Sequence, residues 1–151
     1  LLRDILSNGD SSRLYQQLVK EKKLFSSISA YSTETIDAGL LMVEGRLSKG
    51  VSMDEAETAI EEVLSEMVRE KISDEELMKV KNKIEAYITF SEVNILNRAM
   101  NLAYFEMLGN ANAVNDEIEK YRAVTSEKIQ QAAAKIFRKE NSNTIRYFSN
   151  N

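Results

Sequence analysis

Residues Leu6–Ala30, LSNGDSSRLYQQLVKEKKLFSSISA, join a glycine turn, an amphipathic helix and a strand in one unbroken run, and no other stretch constrains the fold as much. Leu1, Leu2, Ile5 and Leu6 stand at helical spacing, the pattern pauses at Asn8-Gly9-Asp10, and Leu14, Leu18 and Val19 resume it. Gly9 can take the positive φ that closes the first helical piece, while Asp10, Ser11 or Ser12 can accept the free N–H groups that open the second. From Ser26 to Ser32 the period shortens to two, with Ile28 and Ala30 on one face and Ser27, Ser29 and Tyr31 on the other. Helix, turn, helix and strand therefore follow within about thirty residues.

The rest of the chain extends this beginning into an α+β order. Thr33 to Gly39 is polar, and Leu40–Leu47 reads as a second strand with a bulge at Gly45, giving an antiparallel hairpin. Ser52 with Glu55 is a capping box, followed by the ladder Ala56, Ala59, Ile60, Val63, Leu64, Met67 and Val68; a helix is predicted from Met53 to Glu70. Ser73 with Glu76 repeats the box and opens a helix through Leu77, Val80, Ile84 and Ile88. A restart after Ser91 carries Val93, Leu96, Ala99, Met100, Ala103, Tyr104 and Met107 up to Gly109. A shorter piece bears Val114, Ile118 and Tyr121, and Thr125-Ser126-Glu127 opens a last helix through Ile129, Ala133, Ile136 and Phe137. Thr144–Phe148, TIRYF, alternates and is predicted as a third strand returning to the sheet.

The expected architecture is α+β: a small, mostly antiparallel sheet covered on one face by a layer of helices. Its 151 residues suit one domain, spanning residues 1–151, and 43% hydrophobic against 29% charged residues is the balance of a chain that folds. Three strands would leave long open edges, and Leu1 already lies inside an apolar pattern. We therefore expect an excised fragment, truncated at its N-terminus, whose upstream part supplies more strands.

Absent residue types exclude more chemistry than present ones suggest. There is no cysteine and no histidine, so neither a thiolate metal site, a disulfide, an imidazole base nor a Ser-His pair can be built from these residues. A net charge of -4 with both signs spread along the chain offers no footprint for nucleic acid. No apolar run approaches the roughly 20 residues that cross a bilayer. The acidic doublets Glu61-Glu62, Glu75-Glu76 and Asp116-Glu117 sit in first turns or on polar helix faces, where the helix dipole and solvation account for them. Lys20, Lys22 and Lys23 gather at a helix C-terminus, which they complement. Ser11 and Ser12 read as caps rather than nucleophiles. Met100, Tyr104, Phe105 and Met107 read as core or interface packing rather than a cofactor pocket. No catalytic residue and no cofactor is assigned within the chain.

Several motifs, in order, carry a resemblance. Gly9 with Ser11-Ser12-Arg13-Leu14, the strand Ser27-Ile28-Ser29-Ala30, Ser73-Asp74-Glu75-Glu76-Leu77 with Lys79 and Lys81, and Ala123-Val124-Thr125-Ser126-Glu127-Lys128-Ile129 with Ala132-Ala133 run over nearly the whole chain. Together they resemble the second, non-zinc-binding half of the insulinase/pitrilysin zinc metallopeptidases. The resemblance implies paired α+β halves closing like a clamshell around unfolded peptide, with H-x-x-E-H and its zinc on the other half. It implies as partners that N-terminal half, a peptide substrate and a homo- or heterodimer mate. It also implies, in some second halves, an arginine and a tyrosine seven residues apart that stabilise the peptide carbonyl. Aligning the helix-to-strand junction puts Val19 and Ser26 at those two positions, so neither donor is carried over. That departure fits a second half whose donors come from another subunit, or a degenerate relative serving as a structural and assembly subunit. A periplasmic or membrane-associated site in a bacterium is the compartment such relatives suggest, and nothing in these residues specifies one.

Overall fold

The two serine capping boxes set the helical frame. In a computed structural model, which describes residues 1–33 and 35–148, Ser52 Oγ accepts the Glu55 N–H and Ser73 Oγ accepts the Glu76 N–H, both at 3.1 Å. Each serine thereby satisfies one of the donors that a helix start leaves without an internal partner. The elements run α1 (Leu2–Ser7), a π-helix (Tyr15–Glu21), β1 (Phe25–Ser32), β2 (Leu41–Leu47), α2 (Met53–Arg69), α3 (Asp74–Ser91), α4 (Ile95–Met107), a 3-10 turn (Ala111–Asp116), α5 (Glu117–Arg122), α6 (Ser126–Ile136) and a final 3-10 turn (Lys139–Asn141).

These elements fold as two compact units. One comprises residues 2–72 with the described residues from Glu127 onward; the other comprises Leu1 with residues 73–126.

In the larger unit, β1 and β2 form a two-stranded antiparallel sheet, with Tyr31 opposite Met42 and Ala30 opposite Val43. Phe25 and Ala30 are buried and Ile28 half-buried, while Ser27, Ser29 and Tyr31 are exposed, so the alternation follows the strand's period of two. Ile5, Leu6, Leu14 and Leu18 of the helical entry are buried to 1% exposure or less, and with Ala56, Ala59, Val63 and Met67 of α2 and Ile129 and Ala133 of α6 they make up this unit's core. Polar ties hold the helices in register: Gln17 Nε2 donates to Glu66 Oε2 at 2.9 Å, and Gln130 Nε2 donates to the Val68 and Arg69 carbonyls at 2.9 and 3.2 Å, satisfying orphan acceptors at the end of α2. The Lys71 ammonium pairs with Glu127 at 2.6 Å.

In the smaller unit, the long helical stretch does restart. Asn94 caps α4, its Oδ1 accepting the Leu96 N–H at 2.9 Å. The Arg122 guanidinium bridges Glu85 of α3 and Glu119 of α5, and Lys81 Nζ donates to the Arg122 carbonyl at 2.8 Å. Pairing with Glu85, then Glu119, raises the Arg122 pKa further above its ordinary value.

Three expectations change. Residues 144–148 are not a strand: Thr144 Oγ1 donates to Glu57 Oε1 at 3.0 Å, and the Arg146 guanidinium joins Glu57 Oε2 and, at 2.8 Å, Asp54 Oδ1, so this segment is held by side chains on α2. A strand requires a ladder partner, and the sheet among the described residues has two strands. The irregularity in the hairpin lies on β1 between Phe25 and Ser27, not at Gly45. Gly45 instead makes room: a Cβ there would stand 2.6 Å from Cδ1 and Cε1 of the buried Phe25 ring. Finally, of the core-or-interface reading for the α4 side chains the core alternative falls away: Met100, Tyr104 and Met107 are 61%, 46% and 64% exposed, and Phe105 is half-buried.

Candidate functional site

The junction singled out in the sequence is built on an unusual helix. Gly9, at φ 94°, ends α1, and its carbonyl accepts the Ser12 N–H at 3.0 Å. Ser12 is 4% exposed and its backbone carbonyl accepts the Gln16 N–H at 2.9 Å, so the main chain of Ser12 takes part in the helix start. Arg13 is half-buried and Leu14 fully buried, and the helix that follows opens at Leu14 with no side-chain cap hydrogen bond. Ser11 is exposed.

The helix then widens to π geometry over Tyr15–Glu21 and closes with the Lys22 N–H donating to the Gln17 carbonyl at 2.9 Å, an i to i+5 bond. Lys23 follows at φ 54°, and the Leu24 N–H donates to the Leu18 carbonyl at 2.9 Å. The chain reverses here within three residues and enters β1. Sequence periodicity alone does not signal the π widening, because it shifts the ladder by only one residue.

Val19 is half-buried on the π-helix, and Ser26 is exposed at the irregularity of β1, its hydroxyl donating to the Arg46 carbonyl at 3.0 Å. An aliphatic side chain cannot donate a hydrogen bond, and the serine hydroxyl already has an acceptor within its own hairpin. These two positions form no oxyanion-type site.

Charged groups around this junction pair with one another. Lys22 Nζ meets Glu62 at 2.6 Å beside an open groove lined also by Leu24, Asp54, Glu55, Thr58 and Ala59. On the same helix, hydrogen bonds from Arg146 and then Thr144 hold the Glu57 carboxyl below its ordinary value, and Glu57, then Asp54, raise the pKa of Arg146. Among the described residues no group of three or more His, Cys, Asp or Glu side chains is placed to hold a metal ion. A catalytic zinc of the kind the resemblance implies does not fit these residues: the soft and borderline donors it favours are missing from the sequence, and the nearest carboxylates are paired with Arg146 and Lys22. No step of a metal mechanism is derived through this chain.

Known proteins supply the context. Residues 1–84 match the family model described as the Peptidase M16 inactive domain. The chain is 25% identical over 138 residues to the uncharacterized zinc protease YmxG of Bacillus subtilis (strain 168); the match covers 91% of this chain and 34% of that protein. It therefore spans about a third of that relative's length. Among solved structures, the inactive peptidase domain of a candidate zinc protease from Bordetella parapertussis superposes with a TM-score of 0.85 at 23% identity, over 97% of this chain and 79% of that one. A candidate zinc protease from Bordetella pertussis Tohama I gives 0.84 at 24% identity, over 98% and 81%. A protease from Helicobacter pylori gives 0.80 at 18% identity, over 89% of this chain and 32% of that one. At such identities the structural matches establish the α+β fold. No helix among the described residues is long and apolar enough to cross a membrane.

Proposed function

This chain belongs to the M16 peptidase inactive-domain family, and on that premise we propose that it is the non-catalytic part of an insulinase-type zinc endopeptidase, walling the chamber that encloses unfolded peptide and supporting the zinc-bearing half. The observation that carries this reading is the coincidence of an inactive-domain match with a sequence that lacks both histidine and cysteine. A polypeptide with those donors missing cannot assemble an H-x-x-E-H centre, so in such an enzyme the metal and its activated water belong to another part of the protein. This part contributes shape: a hairpin backed by α1 and the π-helix, with α2 packed on the π-helix, and a core of buried aliphatic side chains.

Val19 and Ser26 favour a second reading in which the protein is a degenerate relative with a structural or assembly role, since the carbonyl-stabilising donors are not supplied here. One experiment separates the two. The full-length protein is mixed with a quenched, unfolded peptide with and without a chelator; the peptidase reading predicts cleavage that stops on metal removal and returns with zinc. Absence of cleavage by the metal-loaded protein favours the assembly reading. Turnover by residues 1–151 alone, free of contaminating protease, refutes both.

A further inference from the structure

Helix α4 turns its apolar side away from its own unit. Leu96, Ala99, Met100, Ala103 and Met107 recur at i, i+3, i+4, i+7 and i+11, which places them along one stripe about 100° wide. Leu96, Met100 and Met107 are 64%, 61% and 64% exposed, and both alanines are exposed. The half-buried residues of the helix, Asn101 and Phe105, lie on the opposite side, and no residue of α4 is fully buried. By contrast α2 buries Ala56, Ala59, Val63 and Met67 from a comparable ladder. A helix normally turns its stripe to a core; here the described residues of its own unit leave the stripe exposed.

The chemistry of the stripe indicates what covers it. α4 carries two charged residues, Arg98 and Glu106. Arg98 falls on the far side of the helix, and Glu106, at the edge of the stripe, accepts the Ala111 N–H from the following turn at 3.2 Å. The stripe itself is uncharged, which suits a permanent, core-like contact more than a transient peptide contact, since lasting interfaces are the more apolar ones. The lengths point the same way: the matched stretch is 34% of the Bacillus subtilis relative and 32% of the Helicobacter pylori protease, so these two proteins contain about twice as much chain again beyond it.

We propose that the α4 stripe is the docking face for the remaining, zinc-bearing part of the same polypeptide, an inference that rests on the zinc-endopeptidase reading above. The occupant it calls for is an apolar, uncharged surface of that part.

The test uses the full-length protein with a photoreactive phenylalanine analogue in place of Met100 or of Met107, and a third variant with the analogue at Lys120, exposed on α5. Cross-links from positions 100 and 107, but not 120, to residues outside 1–151 of the same molecule support the proposal, as does slow hydrogen exchange of α4 in the unmodified protein. Cross-links between two molecules mean that a second copy is the occupant and overturn it. Cross-links confined to residues 1–151, or no cross-links together with fast exchange of α4, also overturn it. The two readings fail separately: intramolecular cross-links to the rest of the chain without chelator-sensitive cleavage sink the peptidase reading and leave an interface, whereas zinc-dependent cleavage without those cross-links sinks the docking face alone.

Discussion

Replacing Gly45 by alanine adds one methyl group where the hairpin has no room for it. The new Cβ would lie 2.6 Å from two carbons of the Phe25 ring, well inside van der Waals contact, and Phe25 is 4% exposed, so the ring has no free solvent to swing into. Overpacking of this kind costs about 1–3 kcal/mol, against which alanine's smaller loss of backbone entropy in a strand returns roughly 0.5–1 kcal/mol. A net loss of about 1–2 kcal/mol is expected, which for a chain of this length lowers Tm by roughly 2–8 °C. The assay is thermal and urea unfolding of Gly45→Ala, of Phe25→Leu, and of the double variant. If the clash is the cause, alanine at position 45 costs markedly less in the Phe25→Leu background, and the two changes are non-additive in the stabilising direction. Equal costs in both backgrounds, or a Gly45→Ala protein as stable as its parent, would refute the reasoning that glycine is needed there to admit the ring.

Three further outcomes follow from the same packing and pairing. Ser52→Ala and Ser73→Ala each remove an acceptor from a helix start and should cost about 1 kcal/mol, whereas Ser→Gly at either site should cost only a few tenths; equal effects of alanine and glycine would count against capping. Met67→Ala, at a position with 0% exposure, should cost about 2–5 kcal/mol in denaturant unfolding, and a loss below 1 kcal/mol would mean that α2 is not seated as described. Because Arg146 and Thr144 hold Glu57 below its ordinary value, the part of the attachment of residues 144–146 to α2 that rests on Glu57 is complete above that ordinary value and is lost as the pH falls through the depressed one, leaving the Arg146–Asp54 pair. Amide exchange or NMR shifts of Ile145 and Tyr147 should therefore report loosening on acidification of the wild-type chain, and the Glu57→Gln variant, which keeps Asp54, should show partial loosening already at neutral pH; loosening on raising the pH toward neutrality would contradict this.

How much of this was legible in the sequence depends on the range of the forces involved. The caps at Ser52 and Ser73 were readable because their donors and acceptors lie within three residues of one another, and the restart after Ser91 was readable from the broken ladder, while the Asn94 cap that opens α4 was not singled out. The hairpin was readable from alternation alone. The Thr144–Phe148 strand was misread because β-propensity describes a side chain's fit to a sheet and says nothing of whether a ladder partner is present; Arg146 found Asp54 and Glu57 instead. Gly45 was read as a bulge because its actual constraint comes from across the sheet, from a ring twenty residues earlier in the chain. The methionines of α4 carry the periodicity of a core face, and periodicity does not distinguish a stripe covered by its own unit from one that is not. At the candidate site, the sequence located the junction and the substitutions at Val19 and Ser26, while the π widening and the Ser26–Arg46 hydrogen bond required coordinates.

The central claim, that these residues belong to a zinc peptidase without holding its zinc, is tested most directly by metal stoichiometry. Zinc is measured in the purified full-length protein and in residues 1–151 after exhaustive dialysis against a weak chelator. The account predicts one tightly held zinc per full-length chain and none in residues 1–151. Retention of a stoichiometric zinc by residues 1–151 alone would contradict it.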